Sequence, residues 1–309
     1  MDELDVRIFR ALLTDKLSAP FSTHVRASLR QVARDLKVDD VTVRNRFKRF
    51  QERGFLSGWR LLPNPRLFGY GYSVLLVDIP PRSSKDDLVE KLRVVPGVAV
   101  ILEYYGDSLG VNLFHDSEQS LARTIESISG ITNAEGITRF RLSFPPPQGN
   151  HLTDTDWAIM ENMRGDAWKS HVQVAEELKF TARTVKNRLE RLQAQNALVV
   201  PPTIDIASLD RTIGVVMFYS YSGREKKSAV DSAMLARFDG SYLWARMTDP
   251  ERAYVILVAP TMASVKAYLD WARKQPGVAS ARAEIVVKSL NVWDNASGFF
   301  RRESLLRAS

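Results

Sequence analysis

Apolar residues recur at helical spacing in two stretches of the chain that are copies of one another. The first stretch covers residues 31–56 and the second covers residues 173–198, 142 residues later. Twelve of the 26 aligned positions are identical without gaps, including Thr-Val-x-Asn-Arg near the middle of each copy. Self-similarity at one long spacing indicates a duplicated structural unit.

Each copy predicts a helix, a tight turn and a second helix that is basic. In the first copy Val43, Phe47 and Phe50 fall at i, i+4 and i+7, so they face a core. The positions between them are polar and mostly basic, and Asp39 or Asp40 is placed to cap this helix. A solvated basic face would explain one such helix. The preceding helix and turn, together with the repetition, favour a helix-turn-helix DNA-binding module, which a short strand and wing over 55–62 would complete.

A β-type pattern follows each module, in the order β-α-β-β-α-β of a ferredoxin-like sandwich. The predicted fold class is therefore α+β, with two winged helix-turn-helix modules alternating with two ferredoxin-like βαββαβ sandwiches as a tandem repeat. The proline cluster at 145–147 marks the boundary in mid-chain. The predicted domains are module 1 at 1–66, sandwich 1 at 67–147, module 2 at 148–206 and sandwich 2 at 207–292, followed by a tail at 293–309 without a clear packing pattern.

The predicted strands are apolar at both alternating positions, as in residues 74–77 (VLLV) and 255–258 (VILV). An open sheet face would carry polar side chains at every second position. Both faces of each sheet are therefore expected to be buried, since exposing them would forfeit about 1.5–3 kcal/mol per side chain. We predict that the two sheets pair within one chain as a pseudo-dimer, with a DNA-binding module at each end. Exchange between chains into a homo-oligomer is the alternative.

Composition narrows the class of protein. The formal net charge of +7 and the pI near 9.6 suit a polyanionic partner. The chain has no cysteine, which excludes disulfides, thiolate zinc sites and cysteine nucleophiles. The amino terminus lacks the features of a signal peptide and no apolar run approaches a membrane span, so we expect a cytoplasmic protein without a membrane partner. No phosphate-binding loop, nucleophile elbow or histidine-rich spacing occurs, and we expect no cofactor and no metal.

The two units resemble the Lrp/AsnC (leucine-responsive, or feast/famine) family of transcription regulators, which joins a winged helix-turn-helix to a βαββαβ effector domain (RAM-like domain). The resemblance covers nearly the whole chain, taken as two units, whereas family members usually have one unit per chain and dimerise. It implies a sequence-specific regulator that binds double-stranded DNA. The segments that carry it are LDVRIFRALL, VARDLKVDDVTVRNRFKRFQERGFLSGW, NPRLFGYGYSVLLVDI and PGVASARAEIVVKSL.

By the family pattern, the second helix of each module enters the major groove. Arginine can bond guanine bidentately and asparagine adenine, so the candidates for base contact are Arg44, Asn45 and Arg46. Contacts to phosphate or sugar are assigned to Thr42, Lys48, Arg49, Trp59 and Arg60. The second module offers Thr184, Lys186, Asn187, Arg188 and Arg191.

The charge around the two modules differs. Residues 1–66 hold 14 Lys and Arg against 8 Asp and Glu, whereas residues 151–205 hold 7 against 8. We therefore expect the first module to supply most of the salt-dependent affinity for DNA. The second module is expected to bind more weakly, and a purely structural role is the alternative.

The resemblance also implies an amino-acid-like small effector at the hairpin of the first sandwich, where Gly106 and Asp107 lie. The second unit departs from this pattern, because its hairpin carries Thr-Asp-Pro-Glu at 248–251.

Two other classes of function stay open. One is a small-molecule sensor or assembly protein that does not bind DNA. The other is an enzyme similar to the siroheme decarboxylases, which resemble the same unit and use histidine and arginine in the sandwich cleft. Of the four histidines only His115 lies in a predicted sandwich, at a strand end typical of a surface histidine. We therefore predict that the chain is not an enzyme.

Overall fold

The structure is a computed structural model that describes residues 1–13, 28–149, 152–209 and 211–300, with the backbone alone for residue 297. The first half contains α1 (Glu3–Leu13), α2 (Leu29–Leu36), α3 (Asp40–Glu52), β1 (Leu56–Trp59), β2 (Leu62–Pro63), β3 (Gly71–Asp78), α4 (Lys85–Leu92), β4 (Val98–Tyr104), β5 (Ser108–His115), α5 (Glu118–Thr132) and β6 (Gly136–Leu142). The second half repeats this order and adds a final helix: α6 (Asp154–Met163), α7 (His171–Leu178), α8 (Ala182–Ala194), β7 (Leu198–Val199), β8 (Pro202–Ile204), β9 (Ile213–Tyr221), α9 (Lys227–Arg237), β10 (Tyr242–Arg246), β11 (Arg252–Ala259), α10 (Met262–Arg273), β12 (Val278–Asn291) and α11 (Trp293–Ser297). The predicted α+β fold class is confirmed.

Side-chain caps fix the start of both recognition helices, α3 and α8. Asp39 accepts hydrogen bonds from the backbone N of Val41 and Thr42 at 2.9 and 3.2 Å. Thr181 accepts one from the backbone N of Thr184 at 3.0 Å. These contacts satisfy amide groups that have no partner within the first turn of a helix. The polar residue before each basic stretch therefore sets where the helix begins.

One eight-stranded antiparallel sheet runs through both units in the order β10-β11-β9-β12-β4-β5-β3-β6. The units join between β12 and β4, where Val286 lies opposite Tyr104 and Asn291 lies opposite Val100. The faces of the sheet without helices form one core shared by both units, and each helix-covered face has its own core. Both sides of the strands are buried, which explains why they are apolar at both alternating positions.

The two helix-turn-helix modules pack against each other and do not lie at opposite ends. β1 pairs with β8 and β2 pairs with β7, so each small ribbon takes one strand from each module. The ring of Trp168 stacks on Phe47 at 5.1 Å and on Trp59 at 5.5 Å. The wing strands of the two modules thus pair with each other, and the apolar residues Leu61 and Leu62 are buried.

The residues after the last strand are packed as far as residue 300. Trp293 and Phe300 are buried, and the Phe300 ring lies 5.0 Å from Phe114 and 5.8 Å from Phe68. The sequence shows no clear packing pattern here, but the aromatic residues of 293–300 complete the shared core. The rest of the predicted tail lies outside the described residues.

None of the described helices is both long enough and apolar enough to cross a membrane.

Candidate nucleic-acid interface and interior cavity

The recognition helices α3 and α8 expose equivalent faces. Their exposed polar residues at matching positions are Arg44, Asn45 and Lys48 on α3, and Lys186, Asn187 and Glu190 on α8. The Arg44 side chain is held by Asp40, whose Oδ2 lies 2.7 Å from Arg44 Nε, and Ala182 stands at the position of Asp40 in the second module. Each face thus combines a cation with an asparagine, and the faces differ in charge at Lys48 and Glu190.

Two other arginines of α3 contact the first helix of their module instead. Arg46 Nη1 donates to Asp2 Oδ1 at 2.6 Å and to Asp5 Oδ1 at 2.7 Å, and Arg49 Nη2 donates to Asp5 Oδ1 at 2.7 Å. The Asp5 side chain is only 5% exposed. Burial lowers the pKa of Arg46, but the hydrogen bonds to Asp2 and Asp5 raise it by more, so its pKa is raised. This geometry favours a positioning role for Arg46, which was predicted to contact bases.

The second module repeats this anchor. Arg188 and Arg191 both donate to the carboxylate of Asp156, which is fully buried and also accepts from the backbone N of Thr153 at 2.8 Å. Asp156 and Asp5 occupy equivalent places on the first helix of each module. Sequence reasoning did not predict that these aspartates pair with arginines of α3 and α8. The sequence feature that could have indicated this anchor is an aspartate at the equivalent position of the first helix in both modules.

Replacing Asp156 with asparagine is expected to lower the free energy of unfolding by about 1–3 kcal/mol, since two partly exposed arginines lose their buried acceptor. Burial raises the pKa of Asp156, but hydrogen bonds from Thr153 and Arg191 lower it by more, so the net shift is downward. Because the pKa of Asp156 is lower in the folded state than in the unfolded state, its ionised carboxylate stabilises the fold above the unfolded pKa, about pH 4. This stabilisation is lost as the pH falls through the folded-state pKa.

Urea unfolding at pH 7 and pH 3 measures this effect. The difference between wild type and Asp156→Asn should be larger at pH 7 than at pH 3. Glu176→Gln, at an exposed position of α7, is the control and should leave stability unchanged. A stability difference that does not depend on pH would contradict a charged Asp156.

Neither wing residue that was predicted to contact DNA is fully exposed. Trp59 is 4% exposed, so the structure contradicts its predicted surface contact, because the second module covers its ring. Arg60 is half-buried, and its Nη1 lies 3.0 Å from Asp294 Oδ1. Thr42 and Thr184 are half-buried at the first turns of their helices.

Gly106 and Asp107 lie exposed at the tip of the β4–β5 hairpin, beside β12. The backbone N of Tyr105 donates to Ile285 O at 2.9 Å across this junction. In the second unit Asp249 is 4% exposed and accepts from Arg141 N at 2.9 Å, so its carboxylate serves the contact between units. The amino-acid effector site at Gly106 and Asp107 stays a prediction.

A cavity of about 70 Å³ lies between the shared sheet face and the helix-turn-helix modules. Its walls are mostly apolar and include Arg246, Asn112 and Tyr104. The Tyr104 hydroxyl is buried and has no hydrogen-bond partner among the described residues. Burial raises the pKa of Tyr104 well above its usual value, and raises that of Tyr254 to about 12. These hydroxyls are protonated at neutral pH, in a space that holds roughly two water molecules.

His115 is buried, so the interpretation as a surface histidine is wrong. Its Nε2 lies 3.2 Å from Ser73 Oγ, and Arg139 Nε donates to the same hydroxyl at 3.1 Å. Burial and, to a lesser extent, the charge of Arg139 lower the pKa of His115. His115 shares its side of β5 with Leu113, which packs in the helix-covered core, so it faces away from the cavity. No histidine is among the described residues that line the cavity.

No family model matches the sequence. Over 138 residues, or 44% of the chain, the sequence is 25% identical to the HTH-type transcriptional regulator Ptr1 of Methanocaldococcus jannaschii, and the match covers 87% of that protein. The crystal structure of the siroheme decarboxylase NirDL is similar over 99% of both chains, with a TM-score of 0.57 and 11% identity. The structure of E. coli AsnC matches 44% of this chain and 93% of its own, with a TM-score of 0.35 and 16% identity.

These comparisons change one prediction and support another. The prediction that the chain is not an enzyme is overturned, because a solved structure that matches 99% of the chain is that of an enzyme. The regulator match covers about one unit, in agreement with the duplicated sequence and the repeated order of elements. The chain is therefore similar to the transcriptional regulator Ptr1 over about one of its two units, and over its whole length it shares the fold of NirDL.

Proposed function

We propose that this protein is a sequence-specific transcription regulator that binds double-stranded DNA through α3 and, more weakly, through α8. The observation that carries the proposal is the equivalent exposed face of the two helices. On each, an exposed cation stands next to an exposed asparagine, Arg44 beside Asn45 and Lys186 beside Asn187. Arginine or lysine bonded to guanine and asparagine bonded to adenine are common pairings in the major groove.

The buried carboxylates support this assignment of roles. Asp5 and Asp156 each hold two arginines of the recognition helix against the first helix of the module. These arginines fix the orientation of the helix, and the exposed residues beside them in the sequence are left to contact DNA. Charge supports the first module as the stronger one, because Lys48 would lie near phosphates where the second module has Glu190.

A gel-shift assay on DNA from upstream of the chain's own gene, repeated at two salt concentrations, tests the proposal. Binding should weaken as salt rises, since contacts between cations and phosphates release counterions. A single-stranded oligonucleotide of the same sequence should compete poorly. The absence of any shift at low salt would reject DNA binding and favour a sensor or assembly protein.

Tetrapyrrole binding is the second candidate function. It is favoured by Arg246, a buried arginine that lines the space between the sheet and the modules, because arginine pairs well with carboxylates. The solved NirDL structures include a complex with an iron-uroporphyrin III analogue. Titrating the chain with iron-uroporphyrin III tests this candidate. A saturable change in the absorbance of the macrocycle supports it, and an unchanged spectrum rejects it.

A further inference from the structure

The last strands of the two units, β6 and β12, pair differently in the central sheet. β12 pairs with β9 and then continues along β4 as far as Asn291, opposite Val100. Its counterpart β6 pairs with β3 alone and is soon followed by three prolines at 145–147. Proline has no N–H to donate to a ladder, so this segment cannot extend along β10 as β12 extends along β4. In the described part of the chain, the outer edge of β10 therefore has no strand partner.

A cleft of about 240 Å³ occupies this edge, between α1 and β10. The ring of Phe9 on α1 lies 6.1 Å from Trp244, and the guanidinium of Arg10 lies 4.0 Å from the centre of the Tyr242 ring. Leu13, Trp244 and Arg246 line both this cleft and the interior cavity, so the two spaces adjoin. Since a cavity of about 150 Å³ holds benzene, the cleft has room for a substituted benzene.

The cleft is cationic. Arg10 and Arg246 are its charged residues, and no carboxylate is among its described lining residues. Arg10 Nη2 lies 3.0 Å from Asp239 Oδ1, but its Nη1 is buried and has no hydrogen-bond partner in the described structure. The Arg246 residue is 7% exposed. Two guanidinium groups beside the rings of Tyr242 and Trp244 suit an anion attached to an aromatic ring.

The first unit has no equivalent chemistry. β4 and β10 each carry a bulge just before Val100 and Trp244, which sets these two residues at matching positions. Counting from the bulge, Arg246 then corresponds to Leu102. Among the described residues, this combination of cations and aromatic rings therefore lies beside β10 and not beside β4, at the edge of β10 that has no described strand partner.

We infer that this cleft binds a small arylcarboxylate, a molecule with one aromatic ring and one carboxylate and without an amine. The carboxylate pairs with Arg10 and Arg246, and the ring packs against Tyr242 and Trp244. An amino acid is a poorer ligand, because no acidic side chain among the described lining residues can accept a hydrogen bond from its ammonium group.

The position of the cleft also places a bound ligand in contact with the first module. Arg10 and Leu13 belong to α1, the helix that carries Asp5, and Asp5 holds Arg46 and Arg49 of the recognition helix. A ligand seated against α1 therefore contacts the element that orients α3. This regulatory consequence rests on the proposed DNA binding, whereas the ligand site does not.

Isothermal titration calorimetry of the full chain without DNA tests the site, with phenylacetate, phenylacetamide and L-phenylalanine as probes. Phenylacetate should bind with one molecule per chain, and the amide and the amino acid should bind at least tenfold more weakly. Arg10→Gln and Arg246→Gln should each weaken phenylacetate binding at least tenfold. Arg237→Gln removes an exposed arginine of α9 outside the cleft and should leave binding unchanged.

Three results would overturn the inference: no heat from phenylacetate at millimolar concentration, equal affinity for phenylacetate and phenylacetamide, or unchanged phenylacetate binding to Arg10→Gln. Equally tight binding of L-phenylalanine would overturn the exclusion of an amine. Arg246 is buried, so its replacement can impair folding, and Arg10→Gln then carries the test. Because no DNA is present, a failure of DNA binding leaves these outcomes unaffected.

Discussion

Lys48→Glu is expected to weaken DNA binding by roughly tenfold to a hundredfold, because a phosphate contact is replaced by a repulsion. Lys48 is exposed and only loosely engaged, since its Nζ lies 3.3 Å from Glu52 Oε1 and both side chains are mostly in solvent. Such exposed pairs contribute little to stability, so the substitution should change binding and leave folding intact. The slope of log affinity against log salt should decrease by about one.

The second module offers the reverse experiment. Glu190 occupies the position of Lys48 on α8, so Glu190→Lys should raise affinity for the same DNA. Fluorescence anisotropy with a labelled duplex, at several salt concentrations, measures both variants. Lys266→Glu is the matched control, since Lys266 is also exposed on a helix and pairs with an acid one turn away, but it lies on α10 of the second sandwich. Losses of equal size in Lys48→Glu and Lys266→Glu would show that net charge alone, and not the α3 face, governs binding.

Phe218→Ala is expected to reduce the free energy of unfolding by about 3–5 kcal/mol, the usual cost of removing a buried phenylalanine ring. Phe218 lies on β9 of the second unit, yet its ring is 4.9 Å from Phe140 and 6.2 Å from Tyr104, both in the first unit. It also lies 5.7 Å from Tyr254 in its own unit. The cavity left by alanine therefore opens in the core that both units share.

Chemical denaturation followed by circular dichroism measures this loss. Phe180→Ala is the matched control, because Phe180 is 37% exposed at the turn of the second module and should cost less than about 1 kcal/mol. The unfolding of both units should shift together in Phe218→Ala. A transition in which the first unit keeps its wild-type stability would contradict a shared core.

The sequence was sufficient for most of the fold and for part of the interface. Strands β3 and β11 contain the predicted apolar runs 74–77 and 255–258, because apolar runs bounded by turn residues mark strands clearly. The exposed positions of Arg44, Asn45 and Lys48 followed from helical spacing around Val43, Phe47 and Phe50. Spacing within one helix could not show that Arg46 contacts Asp5, a residue 41 positions away. It also could not show that Trp59 is covered by the other module.

What the sequence determined by itself was the duplicated unit, its order of helices and strands, and the burial of both faces of its strands, because these depend on local periodicity and residue type. The tertiary structure decided how the copies differ. The prolines after β6 prevent that segment from pairing along β10 as β12 pairs along β4. In the described part of the chain, the outer edge of β10 therefore has no strand partner and borders the cleft of Arg10 and Arg246. Contacts between strands far apart in the chain produce that asymmetry, and no periodicity within one segment records them.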